Sequence, residues 1–272
     1  MNYQEIRPPD HLKEHIRYCW TLESTHTETS ITPFRTIADG CPGLIYQPKN
    51  AGTLYQGDKQ LSDLFLFGQS TRYAELQLSG NFQAIGIHFY PNALKTLFGL
   101  PAEELTDSCL NLEELIQKKH PALSDQLLYS HATKDQLEIL FHYLDMEQQS
   151  SFHLQDFTMK YALTQIVQSR GFASLKGLQD HLGLSERSME RKFKAYTGIS
   201  PKLFSRICRF QASLKQLRNH EYDKFSDIAY ENNYADQSHF IRSFKEFAGF
   251  SPFQYQKKSF EIVENLNQLS PS

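Results

Sequence analysis

The chain has 272 residues, 40% hydrophobic and 22% charged, ordinary figures for a globular protein with room for two buried cores. No run of about 18 apolar residues occurs, so no spanning helix or membrane partner is expected. The net charge of −3 hides an asymmetry. Residues 170–258 carry 16 Lys+Arg against 9 Asp+Glu, a balance of +7 that leaves −10 for the rest, so a basic, polyanion-binding unit is expected at the C-terminal end.

The opening M-N-Y-Q-E-I-R-P-P-D has no apolar signal core, which points to a cytoplasmic protein. Cys19, Cys41, Cys109 and Cys208 are scattered without a C-x-x-C spacing, as suits reduced thiols rather than a disulfide framework or a zinc site. After Pro8-Pro9 the pattern predicts a helix over 10–19. Short runs rich in aromatic and β-branched residues then predict strands at 20–22, 43–46, 53–55, 64–67 and 82–89. In the last of these Ile85, Ile87 and Phe89 are expected to face the core. A small antiparallel sheet or barrel over residues 20–90 follows, with Arg35, Tyr46, Tyr55 and His88 as ligand-pocket or plain strand residues.

From Pro91 the pattern turns helical. Short helices are expected at 92–98, 101–105, 112–118 and 121–128, and a firmer one at 135–146 with Leu137, Leu140, Phe141 and Leu144 inward. The polar stretch 147–151 reads as a linker. A helix over 157–170 follows, with Tyr161, Leu163, Ile166 and Val167 available for packing.

The C-terminal third repeats itself. In D-Q-S-H-F-I-R-S-F-K-E-F-A-G-F-S-P-F-Q-Y-Q, from Asp236 to Gln256, Phe240, Phe244 and Phe247 make one apolar helical face. Ser238, Arg242 and Lys245 make a polar, basic face. Asp236 reads as an N-cap and Gly249 as a C′ residue, and Ser251-Pro252 starts another helix. A short helix over 227–232 precedes it, with Asn233 in the turn, where a left-handed conformation is tolerated. Helix, turn and basic helix make the helix-turn-helix pattern. At an offset of 51 residues, Arg191, Phe193, Lys194, Gly198, Ser200 and Pro201 match Arg242, Phe244, Lys245, Gly249, Ser251 and Pro252. The first helix of that earlier motif is expected over 175–182, turning at Gly183. A joining helix over 202–218 carries the apolar stripe Phe204, Ile207, Phe210, Leu214 and Leu217.

At these residues the chain resembles the AraC/XylS family of bacterial transcription regulators over roughly 155–258. It departs from the family pattern at Asn233, where Gly is usual, at Gln179, where Ala is usual, and at Phe204, where Tyr is common. The run P-N-A-L-K-T-L-F-G-L-P-A-E-E-L-T-D, the opening P-P-x-x-L and the A-D-G at Ala38 to Gly40 resemble the sensor half of a subgroup of that family. The resemblance implies an α+β N-terminal domain (small antiparallel sheet or barrel plus helices) over 1–150. An all-α double helix-turn-helix DNA-binding domain follows over 151–258, then a tail over 259–272. It implies double-stranded DNA as partner, with RNA polymerase, a homodimer and a small-molecule effector at the N-terminal domain as further candidates. No cofactor, metal or catalytic site is expected.

In a helix-turn-helix the early residues of the second helix meet base edges. That gives Arg187, Ser188, Glu190 and Arg191 in the first motif and Gln237, Ser238, His239, Ile241 and Arg242 in the second. Arg suits guanine, Gln adenine and Ile a thymine methyl. Glu190 suits a cytosine amino group or a supporting pair with Arg187 or Arg191. Lys194 and Lys245, a turn further on, are expected at phosphates.

One motif points elsewhere. His11-Leu12-Lys13-Glu14-His15 matches H-x-x-E-H, a zinc-peptidase helix pattern with two His on one helical face, so a metal-dependent hydrolase is the alternative. A solvated helix face explains the same residues. No G-x-x-x-x-G-K-[ST], G-x-G-x-x-G or G-x-S-x-G occurs.

Overall fold

The computed structural model describes residues 2–24, 32–49, 51–116, 120–151 and 156–258. Among these, ten strands come in chain order: β1 (Asn2–Ile6), β2 (Ile16–Ser24), β3 (Thr32–Thr36), β4 (Gly43–Tyr46), β5 (Thr53–Gln56), β6 (Lys59–Gln60), β7 (Leu64–Phe67), β8 (Ala74–Ser79), β9 (Phe82–Phe89) and β10 (Cys109–Asn111). They form two antiparallel sheets, ordered β1-β2-β9-β4-β7-β10 and β3-β8-β5-β6. All five stretches read as strands are strands. Of the five unread ones, β1, β10, β3 and β6 are sheet edges, where half the residues stay solvated and the apolar signal is weak.

The larger sheet is covered on both sides. Ile85, Ile87 and Phe89 of β9 pack with the helices that follow, as expected, but Phe82 and Ala84 are buried too, in a second core shared with the smaller sheet. Trp20 of β2 lies over Gly86 so closely that any side chain there would collide with the indole.

The predicted helix over 10–19 does not form. One 3-10 turn, Asp10–Leu12, leads into β2, because Cys19 and Trp20 pair with Ile87 and Gly86 and that ladder overrides local helical spacing. His11 is therefore exposed while His15 is 5% exposed, and the two do not share a helical face. The geometry on which the metal-hydrolase alternative rested is absent.

Burial holds the His15 pKa below its ordinary value, with Glu14 opposing and Lys160 assisting. A histidine lowered in this way stabilises the fold above its unfolded pKa of about 6.5, and that stability is lost as pH falls through the lower, folded value. The melting temperature should therefore drop between about pH 7.5 and about pH 5.5, and His15→Gln should narrow the drop. A variant that keeps the whole drop would place the acid sensitivity elsewhere.

The helical layer holds α1 (Ala93–Phe98), a 3-10 turn (Ala102–Leu105), α2 (Leu112–Ile116), α3 (Leu123–Tyr129) and α4 (Thr133–Ser150). Leu137, Leu140 and Leu144 of α4 are buried, and Phe141 half-buried. Part of 112–118 lies outside the described residues. α4 runs on through 147–150, the stretch read as a linker. Buried Glu147 meets His120 Nε2 at 3.1 Å, and Ser151 Oγ donates to the Leu97 carbonyl at 2.6 Å. Polar composition here reflects specific pairing rather than a loose connection.

The C-terminal part is all helical: α5 (Phe157–Gln168), α6 (Leu175–Leu182), α7 (Glu186–Thr197), α8 (Pro201–Arg218), α9 (Phe225–Glu231), α10 (Gln237–Ala248) and α11 (Pro252–Lys258). Leu163 and Ile166 of α5 are inward as expected. Tyr161 and Val167 are exposed, and Met159 and Ala162 take their places. The α8 stripe Phe204, Ile207, Phe210, Leu214 and Leu217 is buried throughout, in one core with α5, α7, α9 and α10. Among the described residues no helix is long and apolar enough to cross a membrane.

Candidate nucleic-acid interface

Each half of the C-terminal repeat builds the same device from local chemistry. In the first, α6 ends at Gly183 with φ +63°, and Ser185 caps α7 by accepting from the Ser188 N–H at 3.3 Å. In the second, Asn233 supplies the left-handed turn at φ +52°, and Asp236 caps α10 by accepting from the His239 N–H at 2.7 Å. Asn233 does here what Gly183 does in the first motif. α7 and α10 both end on a left-handed glycine, Gly198 and Gly249, where a side chain would be strained. Ser200 and Ser251 then cap α8 and α11, and Gln254 returns a bond to the Ser251 N–H at 2.9 Å, a capping box.

Burial splits the two helices along the expected line. Met189 and Phe193 of α7, and Phe240, Phe244 and Phe247 of α10, are fully buried. Arg187, Glu190, Arg191 and Lys194 on α7 are exposed, as are Gln237, Ser238, Arg242 and Lys245 on α10. Among the described residues Arg187, Arg191, Arg242 and Lys245 have no ion-pair partner.

Of the other candidates, Ser188, His239, Ile241 and Glu190 are held by the protein itself. Ser188 is half-buried, its Oγ 3.1 Å from Ser185 Oγ within the cap. His239 Nδ1 accepts from the Ala235 N–H at 3.3 Å and its ring stands edge-on to Tyr234, which fixes the turn. Ile241 is half-buried against the domain core. Glu190 pairs with Lys194 at 2.9 Å, one turn along the helix, rather than with Arg187 or Arg191. That pair lowers the positive charge Lys194 presents, whereas Lys245 keeps its own.

A further lysine escaped the sequence reading. Lys192 Nζ lies 3.4 Å from Asp156, whose carboxylate also accepts from the N–H groups of Thr158 and Met159 at the start of α5. Burial raises the Asp156 pKa, but these donors and Lys192 outweigh it and leave it lowered. α7 is thereby tied to the first helix of its own domain.

A second concavity lies in the N-terminal part, a cavity of about 420 Å³ between the two sheets. Leu22, Ile45, Leu54, Phe65 and Phe82 supply apolar wall, and Trp20, Asp39, Cys41 and His88 a polar end. Asp39 Oδ2 and His88 Nδ1 are 3.3 Å apart, the His88 ring stacks on Tyr18, and Arg17 donates to Cys41 Sγ at 3.1 Å. Burial pushes the Cys41 thiol up to about 12. Asp39 ends below the ordinary carboxylate value, since His88, Arg17 and the Cys41 N–H outweigh its burial. Of the four residues suggested by sequence, His88 lines this cavity. Tyr46 turns to the helical layer and bonds the Leu127 carbonyl, Tyr55 sits half-buried outside, and Arg35 is taken up by Glu75 and the Gly249 carbonyl.

Comparison with known proteins agrees with this geometry. Residues 178–258 match the family described as "Helix-turn-helix domain", and residues 4–111 match a domain of unknown function, DUF6597. The HTH-type transcriptional activator RhaS of Escherichia fergusonii is 30% identical over 79 residues, 29% of this chain. Residues 178–258 are an AraC-type helix-turn-helix domain. The segment of RhaS matched to this AraC-type domain spans 28% of RhaS. Among solved structures, ToxT from Vibrio cholerae is 12% identical with a TM-score of 0.45, covering 90% of this chain and 99% of that one. ToxT with an unsaturated fatty acid bound gives 12% and 0.43, covering 99% and 98%.

Proposed function

We propose that the chain is a sequence-specific DNA-binding transcription regulator. Its unit at 151–258 presents α7 and α10 to successive major grooves, and its unit at 1–150 modulates that binding through a small-molecule effector. The observation that carries the reading is the twice-built reading helix, capped, aimed and left with exposed, unpaired arginines. Such a helix enters the major groove with its N-terminal turns on base edges, and Arg187, Arg191, Gln237 and Arg242 are the groups free to read them. Lys245, and Lys194 less strongly, meet phosphates. Ser188, His239 and Ile241 shape the helix starts. The chain works by binding, not catalysis, in the cytoplasm, with RNA polymerase and a second copy of the chain as further partners.

The effector suited to the inter-sheet cavity is a small molecule with an apolar body and one polar end. Trp20 Nε1 has no hydrogen-bond partner among the described residues, and Trp20 lines the cavity together with Asp39 and His88. A buried donor without a partner costs roughly 1–3 kcal/mol, which a ligand acceptor would recover.

In vitro selection of duplex DNA on the full chain tests the main reading. Recovered sites should hold two conserved segments about one helical turn apart, about 34 Å along one face. Recovery of random sequence would contradict sequence-specific reading.

A further inference from the structure

The two reading helices are held a second time, from outside their own domain. Thr106, just after the 3-10 turn Ala102–Leu105, donates its hydroxyl to the Gly198 carbonyl at 2.7 Å. Arg35 on β3 donates Nη1 to the Gly249 carbonyl at 3.2 Å. Gly198 and Gly249 are the same position of the 51-residue repeat. The N-terminal part therefore grips both helices at the equivalent atom, the carbonyl just past each helix end.

Each grip is reinforced. The Arg35 guanidinium lies 4.2 Å from the Phe250 ring centre and 5.1 Å from that of Tyr73, and Nε bonds Glu75 at 2.8 Å. The Tyr73 ring packs on Gly249 where a side chain would stand. Ala38 N–H donates to the Phe247 carbonyl at 3.2 Å, and Gln211 of α8 donates to the Ala38 carbonyl at 2.6 Å. At the other grip a Cβ on Gly198 would stand 2.7 Å from Thr106 Oγ1 and 2.9 Å from the Ala102 carbonyl.

The grips are also joined to one another. Gln69, fully buried, donates through Nε2 to the Gly40 carbonyl at 2.6 Å, and its backbone carbonyl accepts from the Asp107 N–H at 2.9 Å. Asp107 holds a left-handed φ of +56°, and its carboxylate takes both the N–H and the hydroxyl of Thr71, at 2.7 and 2.6 Å. One bonded crossbar thus runs from the segment bearing Arg35 to the segment bearing Thr106. Both grips lie at the C-terminal ends of α7 and α10, so the exposed N-terminal turns stay open.

We propose that the N-terminal domain is a two-point brace that sets the separation and orientation of the two reading helices on DNA. Within the AraC-type domain itself, the chain joins the two motifs through α8, an 18-residue helix. A second rigid connection, at symmetric points, restricts how far either helix moves when the other is docked. Preorganisation of that kind raises affinity for one spacing and lowers tolerance of others. Tyr73, Glu75 and Asp107 also line the inter-sheet cavity, so whatever fills it bears directly on the brace.

The inference rests on the DNA-reading proposal, and the experiment separates the two. The duplex recovered by selection is compared with versions carrying one base pair more or less between its two conserved segments. Each such change turns one segment by about 34° and shifts it by about 3.4 Å. The parent chain should lose about tenfold or more in affinity. The double variant Thr106→Val, Arg35→Gln should lose less than about threefold on the same change, and should bind the unaltered duplex more weakly than the parent. Thr106→Ser, which keeps the donor, should behave as the parent. Circular dichroism confirms the fold of each, and Thr106→Val alone is used if the double variant is unfolded. An undiminished spacing penalty in the variants would overturn the brace, as would tighter binding of the unaltered duplex, the mark of an inhibitory latch. A parent chain that binds no duplex would instead overturn the DNA-reading proposal beneath it.

Discussion

Replacing Phe244 with alanine should lower the stability of the AraC-type domain by about 3–5 kcal/mol. The side chain is fully buried in α10, with ring centres 5.3 Å from Phe210, 5.7 Å from Phe240 and 5.7 Å from Tyr255. Phe210 belongs to α8 and Tyr255 to α11, so one ring joins three helices. Truncation leaves a cavity that these large, interlocked rings cannot readily close. Domains of this size have about 5–15 kcal/mol in all, so the loss is a large fraction of the total. Lys245→Ala, next along the same helix but exposed, should change stability by less than about 0.5 kcal/mol. Denaturant titration followed by circular dichroism distinguishes the two, and a Phe244→Ala protein as stable as the parent would mean that the phase of α10 is wrong.

Most of the C-terminal architecture was legible because its determinants are local. Caps at Ser200, Asp236 and Ser251, left-handed turns at Gly183 and Asn233, and apolar spacing around Phe193 and Phe244 all act within a few residues. The 51-residue repeat added a check that chance patterning rarely passes. Finer roles were less legible. Spacing alone put Ser188, His239 and Ile241 on the reading face, but a cap, a turn and a core edge had already engaged them.

The N-terminal part was harder to read because its determinants are distant. The helix expected over 10–19 became β2 through pairing with β9, some 70 residues on. Strands β1, β3, β6 and β10 lie at sheet edges, where polar residues dilute the alternation. The grips on Gly198 and Gly249 leave no sequence trace at all. Thr106 and Arg35 are separated from them by 92 and 214 residues, and neither is unusual in its own neighbourhood.

Arg242→Ala and Lys245→Ala, compared on the same DNA, test the central claim that α10 reads bases with its early turns and grips phosphate further on. Both side chains are exposed and unpaired among the described residues, three positions apart on one face, so neither change should disturb the fold. Arg242→Ala should cost about 1–3 kcal/mol on the selected site, relax discrimination at one base position, and cost less on unrelated DNA. Lys245→Ala should weaken binding to every sequence alike and reduce the salt slope by about one counterion. Arg191→Ala should repeat the first pattern at a segment about one helical turn away. Lys194→Ala should change the slope by less than Lys245→Ala, because Glu190 already offsets its charge. Competition titrations at several salt concentrations read all of these quantities. The account predicts that the effects separate, with Arg242 in the base-specific term and Lys245 in the salt-dependent one. An Arg242→Ala protein that loses specific and non-specific binding equally, with no base position relaxed, would make Arg242 a phosphate clamp and contradict the groove docking.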